Sequence, residues 1–324
     1  MDYQQSRAYV KDADRYAGGA LDLTNIKELM KRLGNPQDQL KYVHVAGTNG
    51  KGSVIAYLYT TLSEAGYRVG RYISPSVYSY REKMEVAGSA VSREQFAGYV
   101  TRVAAAIKEM TTEGLAHPTP FEIETAVAFL FFAEEKCDLV ILEVGMGGNL
   151  DATNIIRNTV LAVLVPISMD HQAFLGNTLS EIAEKKAGII KPQVPVIYDG
   201  HQPEASEVIE KRANELGSPA FALTEDMYEM QKNTREGIDF SFHCKYYNTV
   251  QLSIPYIAPY QMMNASLAFF TMEQLRDVHK IPLEKLIKGL KNTHWEGRME
   301  TVLPDVIVDG AHNADGVARF VETA

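Results

Sequence analysis

The feature that most constrains this chain is a glycine-rich loop, Gly47-Thr-Asn-Gly-Lys-Gly-Ser53. A β-branched run at 42–45 enters the loop, and a helix-like run at 54–65 leaves it. Strand, glycine loop and helix in that order predict a phosphate cradle, because backbone N–H groups and the helix N-terminus attract anions. Lys51 can neutralise phosphate charge, and Ser53 offers a hydroxyl to a bound Mg²⁺. The alternative interpretation is an ordinary turn before a helix.

Composition narrows the class of protein. The chain has 324 residues, 46% hydrophobic and 23% charged, which is typical of a soluble globular protein with one large or two ordinary domains. A formal net charge of −9 and a pI near 5.5 argue against a nucleic-acid partner. Two cysteines give neither a disulfide framework nor a metal-binding spacing, which predicts a cytoplasmic protein. We find no signal-peptide pattern and no apolar run approaching the roughly 18 residues of a membrane-spanning helix.

The sharpest acidic signal ends a predicted buried strand. Residues 139–142 are apolar, and Glu143 follows them at the carboxyl end of the strand. Ligands bind at this edge of an open parallel sheet, and an ionised carboxylate there is costly unless it meets a cation. Mg²⁺ beside the phosphate loop is the natural cation, and the glycines between Gly145 and Gly148 allow close backbone approach to a ligand. A surface strand end is the alternative.

Two further candidates are weaker when considered alone. His171 follows a predicted strand at 159–166 and is preceded by Asp170, although a lone histidine is more often structural. Lys186 lies in a helical run that begins at Leu179. From the residues alone, a solvated lysine is the favoured interpretation of Lys186.

The compact form of the glycine loop carries a family resemblance. The common pattern is G-x-x-x-x-G-K-[ST], whereas here Val45 stands six residues before the lysine and Gly52 follows it. The segment from His44 to Ser53 closely resembles the nucleotide loop of folylpolyglutamate synthases and dihydrofolate synthases. These are ATP-dependent, amide-forming enzymes of the Mur-ligase superfamily. The resemblance covers essentially all 324 residues.

The resemblance implies a nucleotide site with two Mg²⁺ ions. The implied metal ligands are Ser53, Ser74, Glu143, His171 and Lys186. Carbamylation of the lysine by CO₂ would convert its cation into a carboxylate-like ligand. The residues implied to bind ATP are Gly47, Thr48, Asn49, Gly50, Lys51, Gly52, Ser53, Gln261, Asn264, Arg298, Asp309 and His312. Those implied to act in catalysis are Lys51, Glu143, His171, Lys186 and Arg298.

The resemblance also implies where the acceptor substrate binds. In the family a Ser-Pro opens an Ω-loop that borders the folate site and helps to hold a metal ion. The implied substrate residues are Ser74, Pro75, Glu82, Phe121, Glu122 and Asp151. Alternatives remain open, because Glu122 is also explained as an acid at a helix N-terminus. Gln261 and Asn264 are also explained as helix-start residues, and the loop after Ser74 as a surface connection.

The chain departs from the family at several positions. Relatives often carry His, Arg, Glu and Pro where Ser76, Asn149, Lys185 and Ala314 stand. The serine weakens the expected similarity of the pterin contacts. Only the opening of the family's C-terminal α/β domain precedes Ala324. We therefore expect the chain to fold and to bind nucleotide, but to ligate poorly or not at all.

Together these features predict an α/β fold. We expect a mainly parallel sheet with helices on both faces at residues 1–296, and a linker with the start of a second α/β domain at 297–324. The predicted activity is ATP-dependent addition of L-glutamate to dihydropteroate or a folate through an acyl phosphate. We expect a monomer without nucleic-acid or membrane partners. The alternatives are another Mur-type amide ligase, such as one acting on a cell-wall precursor, and a nucleotide-binding module without catalysis.

Overall fold

The structure is a computed structural model that describes residues 1–16, 22–275, 281–303 and 306–323. The helices are α1 Tyr3–Asp12, α2 Thr24–Arg32, α3 Lys51–Glu64, α4 Arg93–Thr112, α5 Pro120–Glu134, α6 Gln172–Leu175, α7 Leu179–Ala187, α8 Pro203–Glu215, α9 Pro259–Leu275, α10 Leu283–Asn292 and α11 Ala314–Thr323. The strands are β1 Tyr42–Ala46, β2 Val69–Tyr72, β3 Met84–Val86, β4 Ser89–Ala90, β5 Leu139–Glu143, β6 Thr159–Leu164, β7 Val196–Asp199, β8 Ala220–Leu223, β9 Tyr228–Thr234, β10 Gly237–Cys244, β11 Asn248–Ile254, β12 Glu300–Leu303 and β13 Val306–Val308.

The strands form three sheets. The largest has eight strands in the order β4-β3-β2-β5-β1-β6-β7-β8. β2 pairs in parallel with β5, and β7 pairs in parallel with both β6 and β8. β3 and β4 add an antiparallel edge. β9 to β11 form a separate antiparallel sheet, and β12 and β13 a two-stranded one. The predicted mainly parallel α/β fold is confirmed, with an antiparallel sheet in addition.

Two compact units divide the chain. Unit 1 comprises Met1–Val43 and Arg68–Val160, and unit 2 comprises His44–Tyr67 and Leu161–Ala324. Each unit is therefore built from two separate stretches of sequence. The domain boundary that we predict after residue 296 stays a prediction.

Unit 1 is organised around the buried helix α5. Its first turn is a capping box, in which the Thr119 hydroxyl accepts the Glu122 N–H at 3.3 Å and the Glu122 carboxylate accepts the Thr119 N–H at 2.7 Å. These bonds satisfy N–H groups that a helix start leaves without acceptors. Further along, Phe129 packs edge-on against Tyr42 with ring centroids 5.9 Å apart. The apolar residues of α5 thus anchor the core of this unit.

Unit 2 is organised around α3, the helix that leaves the glycine loop. α3 is buried along most of its length and packs against α9 and α10. At the second contact, a Cβ on Gly289 would lie 2.4 Å from Thr61 Cα. A side chain there would force the two helices apart. The close packing fixes the direction of α3, and with it the orientation of the loop.

Several predicted boundaries are corrected by the structure. The sequence at 2–17 predicts one helix, but the helix ends at Asp12 and continues as a 3₁₀ turn to Tyr16, while residue 17 lies outside the described residues. The polar stretch at 74–86 has no clear period and predicts a long loop, but it contains a 3₁₀ turn at Tyr80–Lys83 and strand β3. β9 is not predicted because its residues are mostly exposed and lack a buried face. In the ranges that the structure describes, no helix is long and apolar enough to cross a bilayer.

Candidate active site

The glycine loop of unit 2 turns the chain sharply from β1 into α3. Gly47 and Gly50 have φ angles of +142° and +97°, which favour glycine. A Cβ on Gly47 would lie 2.2 Å from Val165 Cγ2, and one on Gly50 would lie 2.5 Å from Asn264 Oδ1. Both positions therefore require glycine for the backbone conformation and for space.

The N–H groups that can receive an anion lie at the start of α3. Thr48 and Asn49 donate their N–H groups to the Pro166 carbonyl at 2.8 and 3.4 Å, so these two amides are already used. α3 begins at Lys51, and the first turn of any α-helix leaves its N–H groups without helical acceptors. The segment from Lys51 to Ser53 thus presents an anion-binding helix N-terminus. The N–H groups left for an anion therefore belong to the start of α3, and those of Thr48 and Asn49 do not contribute.

Two lysines converge on one backbone carbonyl. Lys51 Nζ donates to Gly47 O at 3.3 Å and to Thr48 O at 3.2 Å. Lys186 Nζ donates to the same Gly47 O at 2.7 Å, and its side chain is buried. The two nitrogens are at most 6.0 Å apart, the sum of their distances to that oxygen. Two ammonium groups this close repel each other unless an anion lies nearby or one of them is neutral.

The start of α9 contacts the loop through a chain of amides. Gln261 Nε2 donates to Ser53 Oγ at 3.1 Å, and Asn264 Nδ2 donates to Gln261 Oε1 at 3.2 Å. All three side chains are buried. Among the described residues, Asn264 Oδ1 has no hydrogen-bond donor. A buried oxygen without a donor is costly, so this atom suits an N–H group of a ligand.

His171 lies in the loop that follows β6, and Thr48 contacts the same loop. His171 has φ +48°, and its side chain is half exposed with Nε2 3.6 Å from Asp170 Oδ2. Its ring is therefore accessible to an ion. The Thr48 hydroxyl donates to Ser168 O and accepts the Ser168 N–H, both at 3.1 Å. Thr48 thus ties the glycine loop to the end of β6.

Asp309 organises the turn after β13. Its carboxylate accepts the Tyr260 hydroxyl at 3.1 Å and the backbone N–H groups of Met299 and Ala311 at 3.0 and 2.8 Å. Burial raises the pKa of Tyr260, so this phenol stays protonated and donates. The predicted nucleotide residue Asp309 is therefore held firmly by its own chain.

Two other predicted nucleotide residues lie close to this turn. Arg298 Nη1 donates to Gly297 O at 2.8 Å, and a Cβ on Gly310 would lie 1.9 Å from the same nitrogen. His312 is exposed, with Nδ1 2.9 Å from Gly310 O. The arginine therefore packs directly over Gly310, where a side chain would have to displace its guanidinium. The structure thus brings Arg298, Asp309 and His312 into one turn region of unit 2.

In unit 1 the end of β5 meets the start of the Ω-loop. Glu143 ends β5 and is buried, and the Ser74 backbone N–H donates to Glu143 Oε2 at 2.9 Å. The Ser74–Pro75 peptide bond is cis. Two predicted metal ligands, Ser74 and Glu143, are therefore neighbours.

Glu82 shapes this loop from within. Its carboxylate accepts three consecutive backbone N–H groups, from Val77, from Tyr78 at 3.1 Å and from Ser79 at 2.8 Å. The spacing Ser79-x-x-Glu82 is a capping box that the sequence already contains. Glu82, which we predict to contact substrate, uses its carboxylate to fold the loop.

A buried ion pair, which no local sequence pattern indicates, attaches the same loop to α5. Lys83 Nζ donates to both Glu124 oxygens at 3.0 and 2.9 Å, and Tyr80 Oη donates to Glu124 Oε1 at 2.5 Å. The Arg7 guanidinium lies 3.4 Å from the centre of the Tyr80 ring. Burial raises the pKa of Tyr80, so its hydroxyl remains a donor. Only the tertiary fold brings these four side chains together.

Asp151 holds the glycine turn after β5. Its carboxylate accepts the Met146 N–H at 2.9 Å, the Thr153 N–H at 3.0 Å and the Thr153 hydroxyl. Burial raises the pKa of Asp151, and these donors oppose that shift. Beside the turn, a Cβ on Gly145 would lie 2.5 Å from Phe121 Cζ. The predicted substrate residues Asp151 and Phe121 thus both set the shape of this turn.

Glu122 is explained by the start of α5. It completes the capping box described above, and burial raises the pKa of its carboxyl while the Thr119 donors oppose that shift. The structural interpretation of Glu122 accounts for its position.

The chain is similar to known proteins over nearly its full length. Residues 45–272 match the Mur ligase middle domain. The chain is 38% identical over 329 residues to dihydrofolate synthase/folylpolyglutamate synthase of Bacillus subtilis, which covers 99% of this chain and 76% of the relative. It is 32% identical to folylpolyglutamate synthase of Lacticaseibacillus casei over 99% of this chain and 76% of the relative. The chain belongs to the folylpolyglutamate synthase and dihydrofolate synthase family.

Solved structures of this synthase family agree. A complex of folylpolyglutamate synthase with AMPPCP and folate superposes with a TM-score of 0.92 at 30% identity, covering 100% of this chain and 80% of that chain. Folylpolyglutamate synthase from Thermotoga maritima gives a TM-score of 0.88 at 31% identity, covering 99% of this chain and 73% of that one. The chain is therefore a Mur-type, ATP-dependent ligase by family, as the resemblance predicts.

Proposed function

We propose that the chain joins the amino group of L-glutamate to a carboxylate of dihydropteroate or a folate, using ATP. The observation that carries the proposal is the start of α3, where Lys51 and Lys186 converge on Gly47 O beside an anion-binding helix N-terminus. The glycine loop is thus built for a polyanion. One solved structure of a family relative is a complex with AMPPCP and folate.

The proposed reaction has two steps. The acceptor carboxylate attacks the terminal phosphorus of ATP, which gives an acyl phosphate and ADP. The glutamate amine then attacks the acyl carbon, an amide bond forms, and phosphate and a proton leave. Lys51 and Arg298 would offset negative charge on the transferring group. Asn264 Oδ1, which lacks a donor among the described residues, would accept an N–H group of the nucleotide.

The predicted metal ligands fit Mg²⁺ chemically. In unit 1 the carboxylate of Glu143 is buried at the end of β5 and accepts the Ser74 N–H, and a carboxylate is the kind of ligand that a hard cation prefers. In unit 2 Ser53 accepts from Gln261 and keeps a second lone pair, and the His171 ring is half exposed. When bound, Mg²⁺ would neutralise phosphate charge. We keep all five predicted residues as proposed ligands.

The proposal includes carbamylation of Lys186. Lys186 is buried with Nζ bonded to Gly47 O, and the neutral amine is the form of a lysine that attacks CO₂. The ammonium first loses one proton, the nitrogen then bonds to the carbon of CO₂, and a second proton is released, so a cation becomes an anion. The remaining N–H can still donate to Gly47 O. A crystal grown with bicarbonate and Mg²⁺ should show three extra heavy atoms on Nζ, whereas bare lysine density in that crystal would contradict this part.

The activity is tested by ADP release. ATP, Mg²⁺ and L-glutamate are mixed with dihydropteroate or with a reduced folate, and the amide product is identified by mass spectrometry. We expect slow ADP release that requires both glutamate and the pterin acceptor, consistent with the poor ligation expected from the sequence. ADP release only with a cell-wall precursor carboxylate would indicate the other type of Mur ligase. Nucleotide binding without ADP release under any of these conditions would indicate a non-catalytic module.

A further inference from the structure

A pair of asparagines joins the glycine loop to the segment that follows β13. Asn49 Nδ2 donates to Asn313 Oδ1 at 3.1 Å, and Asn313 Nδ2 donates back to Asn49 Oδ1 at 3.0 Å. Asn49 Nδ2 also donates to Asp315 Oδ2 at 2.8 Å. The two asparagines are 264 positions apart in the sequence. This reciprocal amide pair is therefore a specific long-range contact within unit 2.

Both ends of the contact are fixed by other bonds. On the loop side, the Asn49 N–H donates to the Pro166 carbonyl. On the other side, Asn313 Oδ1 accepts the Gly316 N–H at 2.9 Å in the first turn of α11. Asp315 pairs with Arg319 one turn later, at 3.2 Å. The pair thus links two local structures that are each ordered by their own hydrogen bonds.

The bonding of Asn49 decides what its side chain can do. A carboxamide has two N–H groups, and both are engaged by Asn313 and Asp315. The side chain is therefore not free to donate to a nucleotide while this contact exists. The helix N-terminus from Lys51 onward stays open to an anion. The contact and a bound nucleotide are compatible.

We propose that Asn49, Asn313 and Asp315 form a latch that couples the nucleotide loop to α11. Asn49 is then a positioning residue, which differs from the direct nucleotide contact that the resemblance implies. A nucleotide that orders the loop also orders Asn49, and so favours docking of α11. By reciprocity, docking of α11 favours nucleotide binding by the same factor. The functional half of this inference rests on the proposed ATP site.

The test is a double-mutant cycle on the full chain. Asn49→Ala, Asn313→Ala and the double variant are titrated with Mg–AMPPCP by calorimetry, with Asn214→Ala in α8 as the matched surface control. Each single variant should weaken binding about threefold to tenfold, the range for losing one or two hydrogen bonds. The double variant should be no weaker than the worse single variant, because both remove the same contact. The control should bind as the parent does.

Hydrogen exchange reports the coupling directly. In the parent, AMPPCP should slow amide exchange at 314–323, and in Asn49→Ala it should not. Asn313→Asp keeps acceptors for the Gly316 N–H and for Asn49 Nδ2 but loses the donor to Asn49 Oδ1. It should weaken the nucleotide effect at 314–323 less than Asn313→Ala does, while nucleotide-free exchange at Gly316 stays slow.

The outcomes separate the latch from the ATP site. Additive losses in the cycle, or exchange at 314–323 that nucleotide does not change in the parent, would overturn the latch. If the parent binds no nucleotide, the proposed function fails. Amide exchange without nucleotide then still tests the Asn49–Asn313 contact. In that case Asn49→Ala and Asn313→Ala must both speed exchange at 314–323, and parent-like rates would reject the latch.

Discussion

Two loops differ in how far the chain satisfies their polar groups: the loop at 74–86 of unit 1, called the acceptor loop after its proposed role, and the glycine loop at 47–53 of unit 2, the proposed nucleotide loop. In the acceptor loop, Glu82 binds three backbone N–H groups, and Glu124 binds Lys83 and Tyr80. In the nucleotide loop, two lysines share the Gly47 carbonyl. The charged groups of the first loop are paired within the chain, whereas the second loop brings two lysine side chains to within 6.0 Å of each other.

This difference indicates what each loop contributes. A loop whose charges are internally paired holds its shape without a ligand, so its residues act on a substrate by presenting a preformed surface. A loop that brings two cations together is stabilised by an anionic ligand. Substitutions in the first loop should therefore lower stability, and those in the second should lower ligand affinity.

The largest effect on stability is expected at Lys83. Replacing it with methionine leaves the buried Glu124 carboxylate with only the Tyr80 hydroxyl, and breaking a buried ion pair in this way costs about 3 kcal/mol or more. Urea unfolding should show this loss. The matched control is Lys31→Met, because that side chain is 75% exposed and lies 3.8 Å from Glu28, so its loss should stay below about 1 kcal/mol. Equal losses in the two variants would contradict the comparison.

The nucleotide loop should respond in the opposite way to Lys51→Ala. Charge-assisted contacts to phosphate are worth about 1.5–3 kcal/mol, so Mg–ATP affinity should fall tenfold or more. The free energy of unfolding without ligand should hardly change, because the substitution also relieves repulsion with Lys186. Calorimetry and urea unfolding of the same variant measure both quantities. Unchanged affinity would remove Lys51 from the phosphate site.

How much of the fold and of the candidate site is predictable from sequence depends on how far apart in the chain the interacting residues lie. The strand, glycine loop and helix at 42–65, and Glu143 at the end of β5, follow from local patterns of burial and turn chemistry. The spacing of Ser79 and Glu82 is also a local capping-box pattern, although the resemblance implies a substrate contact for Glu82. Local rules therefore give the fold class and the position of the candidate site.

The contacts that tie the site together were not predictable in this way. Gln261 with Ser53 and Asn49 with Asn313 join positions that are 208 and 264 apart in sequence. The residue types alone do not select these partners, because any buried amide can bond to many groups. The family resemblance implies a nucleotide role for Asn49, Ser53 and Gln261 but not for Asn313. The bonds between these side chains emerge only from the packing of α9 and α11 against the loop.

A smaller effect, limited to the acceptor side, is expected for Glu82→Gln. The amide keeps one neutral acceptor oxygen, so all three loop N–H groups lose a charged partner and at least one loses its acceptor, a change of about 1 kcal/mol. The KM for the pterin substrate should rise about fivefold, while Mg–ATP affinity stays constant. Steady-state kinetics and calorimetry on one preparation provide both values. A parallel loss of nucleotide affinity would show that the two loops do not act separately.

The smallest expected effect concerns His201, a titrating group of unit 2 outside both loops. Its Nδ1 bonds the buried Asp199 carboxylate, and the Tyr228 hydroxyl lies 2.9 Å from Nε2. The hydrogen bond to Asp199 raises the pKa of His201 above its ordinary value of 6.5, burial opposes the shift, Glu225 adds to it and Arg319 reduces it. The folded state therefore binds the proton more tightly than the unfolded state does.

The sign of the pH dependence follows from that order. With the pKa higher in the folded state, the stabilisation by His201 is fully present below pH 6.5 and is lost as the pH rises through the folded pKa. Urea unfolding of the parent and of His201→Gln, below and well above that pH, should give a difference that shrinks with rising pH and stays below about 1 kcal/mol. Asp199→Asn should abolish this trend, because it removes the group that raises the pKa. A difference that grows with pH would mean that burial holds His201 neutral and outweighs its hydrogen bond to Asp199.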